Sequence, residues 1–437
     1  MAPAGPSWRA NRCTRRTESL RTAAPPGACA TSVTFFMQME KVRGQHCVLL
    51  KFGELALKGR NRPLFVNALE RNLRRLTADL GRLDVRHRGG VFIVTTKAPQ
   101  EALVERCLAL PGVSVVQPAV CCERDPAAAA DTAVALLRSR PGRTFAIRTS
   151  RRDKRFPLRS VDLSRVVGEA VRVRLGLEVD LSNPDLTAYV EVDHKELLVS
   201  ADRLRGAGGL PVGTSGRALV LLSGGLDSPV AAYRMMKRGL RCDFVHFSGR
   251  PFTGPESVYK AYALAARLDR FQGDSRLFVV PFGGAQRRLA TAGAGRLQVL
   301  SQRRLMVKVA SALGVREGAE ALVTGDSLGQ VASQTLPNLA VVEEAAELTL
   351  LRPLIDRDKQ EIVEIARQLG TYEISILPDE DCCQLFSSKL AVTRGQPDDL
   401  RQIERTADIE ELVDALVESA ELHHPRLELA APALAGV

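Results

Sequence analysis

The distribution of apolar residues divides the chain into two regions of different character. From Gln45 to about residue 205, apolar runs of strand length alternate with segments of helical periodicity. The first strand of this kind is His46–Phe52, and the helix after it, Asn61–Leu80, carries leucines at near-helical spacing. Beyond the glycine-rich linker Gly206–Gly216, short apolar strands alternate with helices. That alternation is typical of a parallel sheet covered on both faces, so the sequence predicts an α/β chain with a smaller α+β region first.

The periodicity predicts particular elements in each region. The first region is predicted to hold strands at 46–52, 90–95, 113–120, 144–149, 186–192 and 196–201, and helices at 61–80, 101–109, 126–138 and 162–175. The second region is predicted to hold strands at 218–222, 242–247, 277–281 and 320–324, and helices at 229–238, 256–268 and 298–313.

A glycine-rich loop follows the first strand of the second region. Ala218–Leu222 is continuously apolar, as expected of a strand buried on both faces, and Ser223–Ser228 (SGGLDS) leads from it into a helix. We predict that Ser228 caps this helix and that Pro229 occupies its first position. Glycines let a backbone approach an anion, and the free N–H groups of a helix start point at it. The loop therefore predicts a phosphate site.

The order of residues in the loop narrows the chemistry. The loop lacks the lysine of the Walker motif, and SGGxDS resembles the loop of the N-type ATP pyrophosphatases, which cleave ATP to AMP and pyrophosphate. This interpretation assigns Ser223, Gly224, Gly225 and Ser228 to the phosphates, and Asp227 to the positioning of magnesium or pyrophosphate. A glycine-rich turn with a capping aspartate is the structural alternative.

A second polar loop strengthens the interpretation. It follows a strand that ends at Thr324, and ligands of open parallel sheets lie outside the carboxyl ends of the strands. Gly325 could let a nucleotide ring approach, and Gln334 could bind it. His246 and Phe247 end the strand after the phosphate loop at the same edge. Phe247 could stack on adenine, and a core phenylalanine is equally consistent with its spacing.

Seven stretches of the chain together resemble the tRNA 4-thiouridine synthases, which also supply sulfur for the thiazole of thiamin. They are KFGELALKGRNRPLF from Lys51, NPDLTAYVEV from Asn183, GGLPVGTSG from Gly208, LLSGGLDSPVA from Leu221, LVTGDSLGQVASQTL from Leu322, LRPLIDRDKQEI from Leu351 and GTYEISILPDEDCC from Gly370. The resemblance spans about residues 45–390.

The resemblance implies an N-terminal ferredoxin-like domain, a THUMP RNA-binding domain and a doubly wound parallel-sheet ATP pyrophosphatase domain. We place a disordered tail, these three domains and a C-terminal helical tail at 1–44, 45–100, 101–205, 206–400 and 401–437. The arginine-rich segment 1–36 could also be a transit-like peptide or result from a true start at Met37 or Met39. The chain after Lys389 is too short for the rhodanese-like domain of some members, so we expect the form without it.

The resemblance also assigns site residues. The ATP-binding positions of the family correspond to Leu221, Leu222, His246, Phe247, Arg303, Gly325 and Gln334. The catalytic cysteine corresponds to Cys382, and Cys383 stands beside it where other members have one cysteine. Cys383 could be a resolving thiol, and two cysteines without a role are the alternative. ATP and Mg²⁺ are the implied cofactors, and the chain has no CxxC pair or zinc-ligand spacing that would predict a protein-held metal.

The implied reaction has two steps. ATP adenylates a tRNA uridine, at position 8 by resemblance, and persulfide sulfur then replaces O4 to give 4-thiouridine. Without a rhodanese-like domain, we expect the sulfur to come from a cysteine desulfurase or another persulfide carrier. The thiamin sulfur-carrier protein is a further implied partner. Two other functions stay open: a pyrophosphatase-loop synthetase acting on a small molecule, and a non-catalytic RNA-binding module.

Charge and cysteine content fit this family. The net charge of +11 favours a polyanionic partner. We predict RNA contacts at the basic cluster Arg148, Arg151, Arg152, Lys154 and Arg155, for which a merely solvated face is the alternative. Nine cysteines, an odd number, without a secretory signal favour a reducing cytoplasm. No apolar run approaches the ~18 residues of a membrane span. A homodimer is compatible with the sequence, which leaves the oligomeric state open.

Overall fold

The computed structural model describes residues 42, 44–88, 90–378, 385–386 and 392–425. Strands of the first region are β1 (Gln45–Phe52), β2 (Asp84–Arg88), β3 (Val91–Thr95), β4 (Val113–Cys122), β5 (Thr144–Arg151), β6 (Glu178–Val179), β7 (Leu186–Val192), β8 (Leu197–Ser200) and β9 (Leu204–Arg205). Its helices are α1 (Arg62–Leu76), α2 (Gln100–Leu108), α3 (Pro126–Leu137) and α4 (Ser160–Leu175). Short 3₁₀ turns lie at Glu54–Leu57, Gly59–Asn61 and Ala78–Leu80.

These strands form one nine-stranded sheet. Its order is β2-β3-β1-β4-β8-β7-β5-β6, and β9 pairs with β4. Leu50 and Leu69 lie in the core that β1 shares with α1, and Val134 and Val190 lie in the core that α3 shares with β7. The sheet runs unbroken across the boundary that we placed between residues 100 and 101, because β4 pairs antiparallel with β1 on one side and with β8 on the other.

The second region has its own elements. Its strands are β10 (Arg217–Leu221), β11 (Arg241–Ser248), β12 (Leu277–Pro281), β13 (Ala321–Val323), β14 (Thr349–Leu351) and β15 (Glu421–His423). Its helices are α5 (Asp227–Lys237), α6 (Glu256–Gln272), α7 (Gly283–Thr291), α8 (Gln298–Arg316), α9 (Leu336–Glu343), α10 (Lys359–Leu369), α11 (Tyr372–Ser375), α12 (Pro397–Thr406) and α13 (Ile409–Glu418). Short 3₁₀ turns lie at Gly295–Leu297 and Ala332–Gln334.

The strands of this region form a six-stranded sheet in the order β14-β13-β10-β11-β12-β15. All pairs are parallel except β12–β15. Leu219 belongs to the core on one face and Val220 to the core on the other, which is why β10 is apolar throughout. The predicted fold class, an α/β chain with a doubly wound parallel sheet in its second region, is confirmed.

The C-terminal helices belong to this second domain. Ile403 of α12 and Leu412 of α13 are buried in the core on one face of the sheet. β15 then pairs antiparallel with β12 as the edge strand. The segment that we predicted as a helical tail is therefore an integral layer of the domain as far as residue 425.

The two domains contact each other through α1. The Asn72 amide donates to the carbonyl of Val212 at 2.9 Å, and Arg75 donates to the carbonyl of Gln272 at 3.2 Å. In the described ranges, no helix has both the length and the apolar composition that crossing a membrane requires.

Candidate active site

The glycine-rich loop lies at the carboxyl edge of the parallel sheet, between β10 and α5. The Ser228 hydroxyl accepts a hydrogen bond from the Ser223 amide at 3.0 Å and lies 3.0 Å from the Ser223 hydroxyl. The amide of Gly225 in turn donates to the Ser223 hydroxyl at 3.3 Å. The prediction that Ser228 is the helix cap is wrong, because α5 begins at Asp227 and Ser228 is buried in its first turn. Its hydroxyl closes the loop instead.

Asp227 is held by two side chains from distant parts of the chain. The Lys359 ammonium donates to Oδ1 of Asp227 at 2.6 Å, and the Gln330 amide donates to Oδ2 at 2.9 Å. Lys359 is placed by Asp358, whose carboxylate caps α10 in a capping box with Glu361. We did not assign Lys359 from the sequence, although it lies within the stretch LRPLIDRDKQEI. Lys359 is about half exposed, so its ammonium faces the open side of the loop.

Gly325 packs against the start of α5. A Cβ at this position would lie 2.8 Å from the Ser228 amide nitrogen and 2.9 Å from the Asp227 carbonyl carbon. β13 pairs with β10 in the register Val323↔Val220, so the chain after β13 emerges beside the phosphate loop. Glycine is therefore required here for close packing against the start of α5, and the approach of a nucleotide ring to Gly325 remains a prediction.

A buried carboxylate, Asp326, joins two of the predicted ATP-binding residues. Its Oδ1 accepts from Arg303 Nη2 at 2.5 Å and from the Gln334 amide at 3.3 Å. Its Oδ2 accepts from the Thr324 hydroxyl at 2.8 Å and from Arg352 Nε at 3.4 Å. Asp326 is only 4% exposed, so these partners replace water around its charge. Asp326 and Arg352 lie in family-like stretches but were not assigned from the sequence.

His246 and Phe247 close the inner side of the site. His246 is buried, and its Nδ1 donates to the carbonyl of Leu222 at 2.9 Å. The Phe247 ring is also buried and packs edge-on against Phe282, with 5.2 Å between ring centroids. The structure therefore favours the core interpretation of the Phe247 side chain over stacking on adenine. Leu221 ends β10, and the Leu222 amide donates to the carbonyl of Val245 at 2.8 Å.

Comparisons with known proteins agree with this arrangement. Residues 213–409 match the model of the family described as "Thiamine biosynthesis protein (ThiI)". Residues 128–202 match the THUMP domain, and residues 47–116 match the ThiI ferredoxin-like domain. A probable tRNA sulfurtransferase of Nocardia farcinica is 52% identical over 381 residues, which are 85% of this chain and 92% of that protein. The chain belongs to the tRNA sulfurtransferase family. A probable tRNA sulfurtransferase of Geobacillus kaustophilus is 39% identical, covering 86% of this chain and 94% of its own.

Solved structures support the same family. A 4-thiouridine synthetase–RNA complex with bound ATP is 31% identical, has a TM-score of 0.81, and covers 87% of this chain and 100% of its own. PH1313 from Pyrococcus horikoshii is 24% identical with a TM-score of 0.60, a likeness that concerns the fold alone; it covers 74% of this chain and 99% of its own. The resemblance predicted from the sequence is confirmed, and this member of the tRNA sulfurtransferase family is an enzyme by that relationship.

Two buried acceptors fit a nucleotide at this site. The amide oxygens of Gln330 and Gln334 are buried, and neither has a hydrogen-bond donor among the described residues. A buried acceptor without a donor costs free energy, on the order of 1–3 kcal/mol. ATP carries an amino group on its base and hydroxyl groups on its ribose, which are donors that such acceptors require. Ser223 and Gly225 of the phosphate loop are exposed, and loop groups of this kind suit a phosphate.

Cys382 and Cys383 lie outside the described residues. Residues before and after them contact the active-site domain. The Ser375 hydroxyl donates to the carbonyl of Gly225 at 3.2 Å, which attaches α11 to the phosphate loop. Gln302 donates to the carbonyl of Leu385 at 3.1 Å. The assignment of Cys382 as the catalytic cysteine and of Cys383 as a second thiol remains a prediction.

The predicted RNA cluster divides into structural and exposed residues. Arg151 donates to the backbone carbonyls of Phe156 and Leu158, at 3.3 and 2.9 Å. Arg152 forms an ion pair with the buried carboxylate of Glu191. Both arginines are half-buried. Their charges therefore stabilise the first domain, a role that the sequence reasoning did not give them.

The other three residues of the cluster are exposed. Arg148 donates to the carbonyl of Leu181 at 2.5 Å, and Lys154 is exposed. Arg155 is paired with Asp153, and its hydrogen bonds hold the pKa of the Asp153 carboxyl below its usual range. RNA contact by this cluster remains a prediction, and within the cluster Arg148, Lys154 and Arg155 are the exposed residues to which it applies most directly. Across the ranges that the structure describes, no group of three or more His, Cys, Asp or Glu side chains is arranged to hold a metal ion.

Proposed function

We propose that this protein is an ATP-dependent tRNA 4-thiouridine synthase. The observation that carries the proposal is the phosphate loop at the carboxyl edge of the sheet, with the Asp227–Lys359 pair on it and the Asp326–Arg303 pair beside it. Glycines, hydroxyls, a lysine and an arginine at one edge are the groups that stabilise a triphosphate and its departing pyrophosphate. The 4-thiouridine synthetase that shares the fold binds both RNA and ATP.

The residues of the site divide the work of the activation step. The loop Ser223–Ser228 receives the phosphates, and Arg303 and Lys359 offset their charge. Asp227 keeps the Lys359 ammonium at the loop and could share a Mg²⁺ ion with the phosphates. Gln334, fixed by Asp326, offers its free amide oxygen to the nucleotide. ATP converts the uridine O4 into a leaving group by linking it to AMP with release of pyrophosphate.

Sulfur delivery falls to the cysteines. A persulfide on Cys382 attacks C4 through its terminal sulfur, a C4–S bond forms, and the C4–O bond breaks with AMP as the leaving group. The Cys383 thiolate then attacks the Cys382 sulfur, which breaks the S–S bond, releases 4-thiouridine and leaves a Cys382–Cys383 disulfide. A cellular reductant returns both thiols. A cysteine desulfurase or another persulfide protein supplies the sulfur, and the thiamin sulfur-carrier protein is a second acceptor by resemblance.

One assay tests the proposal against its rivals. The protein is incubated with ATP, Mg²⁺, a cysteine desulfurase, cysteine and unmodified tRNA, and the tRNA nucleosides and AMP are measured. We expect 4-thiouridine at position 8 and AMP production that depends on tRNA. A synthetase acting on a small molecule would release pyrophosphate without any dependence on tRNA. A non-catalytic RNA-binding module would bind tRNA without consuming ATP.

A further inference from the structure

A basic cavity lies between the two domains, at the edge of the parallel sheet opposite the phosphate loop. Its volume is about 440 Å³, and the residues that line it are Arg75, Arg217, Arg241, Asp274, Arg276 and His424. Arg217 and Arg241 begin the neighbouring strands β10 and β11 and pair with each other in the sheet register. The phosphate loop follows the other end of β10, so the cavity is separate from the ATP site.

Two of the arginines donate hydrogen bonds to the same buried carboxylate. Asp243 Oδ2 accepts from Arg217 Nη2 and from Arg276 Nη2, each at 2.8 Å. Arg276 also donates to Glu317 at 2.7 Å. These contacts fix the direction of both guanidinium groups, so little conformational entropy is lost when an anion binds them.

Arg75 reaches the cavity from the first domain. Its Nη1 donates to the carbonyl of Gln272, and its Cγ and Cδ lie 3.1 and 2.9 Å from the point that a Cβ of Gly273 would occupy. Gly273 has φ +65°, so its left-handed backbone also favours glycine. Among the described residues no carboxylate pairs with Arg75, whereas Arg241 contacts the exposed Asp274.

The lining of the cavity carries one more guanidinium group than it has carboxylate partners, so its charge would be balanced by one bound anion. Three of the four guanidinium groups, those of Arg217, Arg241 and Arg276, contact three carboxylates, which belong to Asp243, Asp274 and Glu317. The guanidinium group of Arg75 pairs with no carboxylate of the described residues, so the lining keeps one positive charge without a carboxylate partner. A further carboxylate, Glu320, accepts from the backbone amide of Arg217 and not from a guanidinium group. Burial, and then the charge of Arg75, lower the pKa of Arg241, so an anion between these two arginines would relieve a repulsion already present.

We propose that this cavity binds a backbone phosphate of the tRNA substrate, as a second RNA contact separate from the Arg148–Arg155 cluster. The inference rests on tRNA being the substrate in the proposed function. A phosphodiester carries one negative charge, which matches the cavity, whereas a triphosphate carries about four and belongs at the opposite edge. Arginine binds phosphate in a bidentate manner, and most protein–nucleic acid hydrogen bonds go to phosphate and sugar. A contact made by both domains would also fix the RNA relative to the active site.

The test compares the wild type with Arg75→Gln, Arg241→Gln and the double variant. Arg401→Gln is the matched control, because Arg401 is also a surface arginine paired with carboxylates, those of Glu344 and Asp398. The dissociation constant for unmodified tRNA is measured between ~50 and ~200 mM salt. We expect each single change to weaken binding roughly tenfold at low salt, as for a lost charge-assisted hydrogen bond. The slope of log affinity against log salt should flatten by about 0.7–0.9, the value for one phosphate.

The double variant makes the assignment specific. If both arginines hold one phosphate, the double change should weaken binding by less than the sum of the two single changes, because each single change already disrupts part of the shared contact. Arg241→Lys should keep the wild-type slope, since it keeps the charge. Thermal melting shows whether each variant is folded, and RNA-independent ATP binding shows that the opposite edge is intact. Unchanged salt slopes in all folded variants would overturn the inference.

A second arm separates RNA from free anions. Stabilisation of the protein by inorganic phosphate and by pyrophosphate is measured at constant ionic strength, for the wild type and the same variants. A cavity that loses pyrophosphate binding in the variants while the tRNA slopes stay unchanged would be a free-anion site, which would also overturn the RNA assignment. A wild-type protein that binds no tRNA contradicts the proposed function itself, whereas one that thiolates tRNA with unchanged variant slopes contradicts only this inference.

Discussion

The ammonium nitrogen of Lys359 lies 2.6 Å from a carboxylate oxygen of Asp227, although 132 positions separate the two residues. The pair stands on the open side of the phosphate loop, where pyrophosphate would leave. Lys359 is the first residue of α10, and the cap of that helix fixes its position. The other carboxylate oxygen of Asp227 accepts a hydrogen bond from the Gln330 amide. In the proposed reaction, we expect the two side chains to act as a unit on the departing pyrophosphate.

Replacing either member of this pair should stop activation while tRNA binding is retained. We expect Asp227→Asn and Lys359→Met each to lower AMP and pyrophosphate formation by roughly 10²–10³-fold, the usual cost of one group that stabilises transition-state charge. Initial rates of AMP formation and tRNA affinity are the measurements. Lys308→Met is the control, because Lys308 also contacts a carboxylate, that of Glu410, at 3.4 Å. AMP formation at the wild-type rate in Asp227→Asn would remove Asp227 from the site.

Asp326 should affect ATP binding through Arg303 and Gln334. Asp326→Ala leaves two arginines without their buried carboxylate, so we expect the free energy of unfolding to fall by about 3–5 kcal/mol. Asp326→Asn keeps the shape and should chiefly raise KM for ATP. Glu404→Gln is the control, because Glu404 forms a buried ion pair at 2.5 Å with Arg304, the neighbour of Arg303 on α8. Equal changes of KM in the two variants would mean that Asp326 acts on stability alone.

The first basic cluster should respond unequally to neutralisation. Changing Lys154 and Arg155 to Gln should weaken tRNA binding and flatten its salt dependence by up to about 0.9 for each lost phosphate contact. Changing Arg152 to Gln should instead lower thermal stability, because it leaves the buried Glu191 short of a partner. Salt-dependent binding and melting curves distinguish the two effects. A salt slope that responds to Arg152 and not to Lys154 would reverse this division.

Substitutions of the two cysteines should affect sulfur transfer without affecting the activation of the uridine by ATP. We expect Cys382→Ala to stop 4-thiouridine formation and to spare tRNA-stimulated AMP production, because adenylation requires no thiol. Cys383→Ala should slow turnover, and an added thiol reductant should restore part of it. The measurements are AMP, thionucleoside and thiol labelling after treatment with desulfurase. Thiolation by Cys382→Ala but not by Cys383→Ala would exchange the two roles, and thiolation by both would exclude a protein thiol from the step.

The sequence by itself determined the elements and the kind of site. The apolar run Ala218–Leu222 and the following SGGLDS encode a buried strand, a turn and a helix start, and the backbone conformations of these segments depend on local residues. Local sequence patterns were also enough to find the phosphate loop, the basic cluster and the stretches that resemble the family. It could not separate Arg151 and Arg152 from their exposed neighbours, because charge along the sequence does not specify which guanidinium groups meet a buried partner.

Tertiary structure decided which distant residues meet. The order β14-β13-β10-β11 brings Gly325 against α5, Asp326 to Arg303 and Lys359 to Asp227. Ser228 is a further case. Its position before Pro229 fits a helix cap, yet its hydroxyl contacts Ser223 because the helix begins at Asp227, two residues earlier than predicted. The arginines of the interdomain cavity come from α1, from the starts of β10 and β11, and from the residue before β12. Strand order and domain packing depend on long-range burial, which no local pattern encodes, so these contacts follow only from the folded chain.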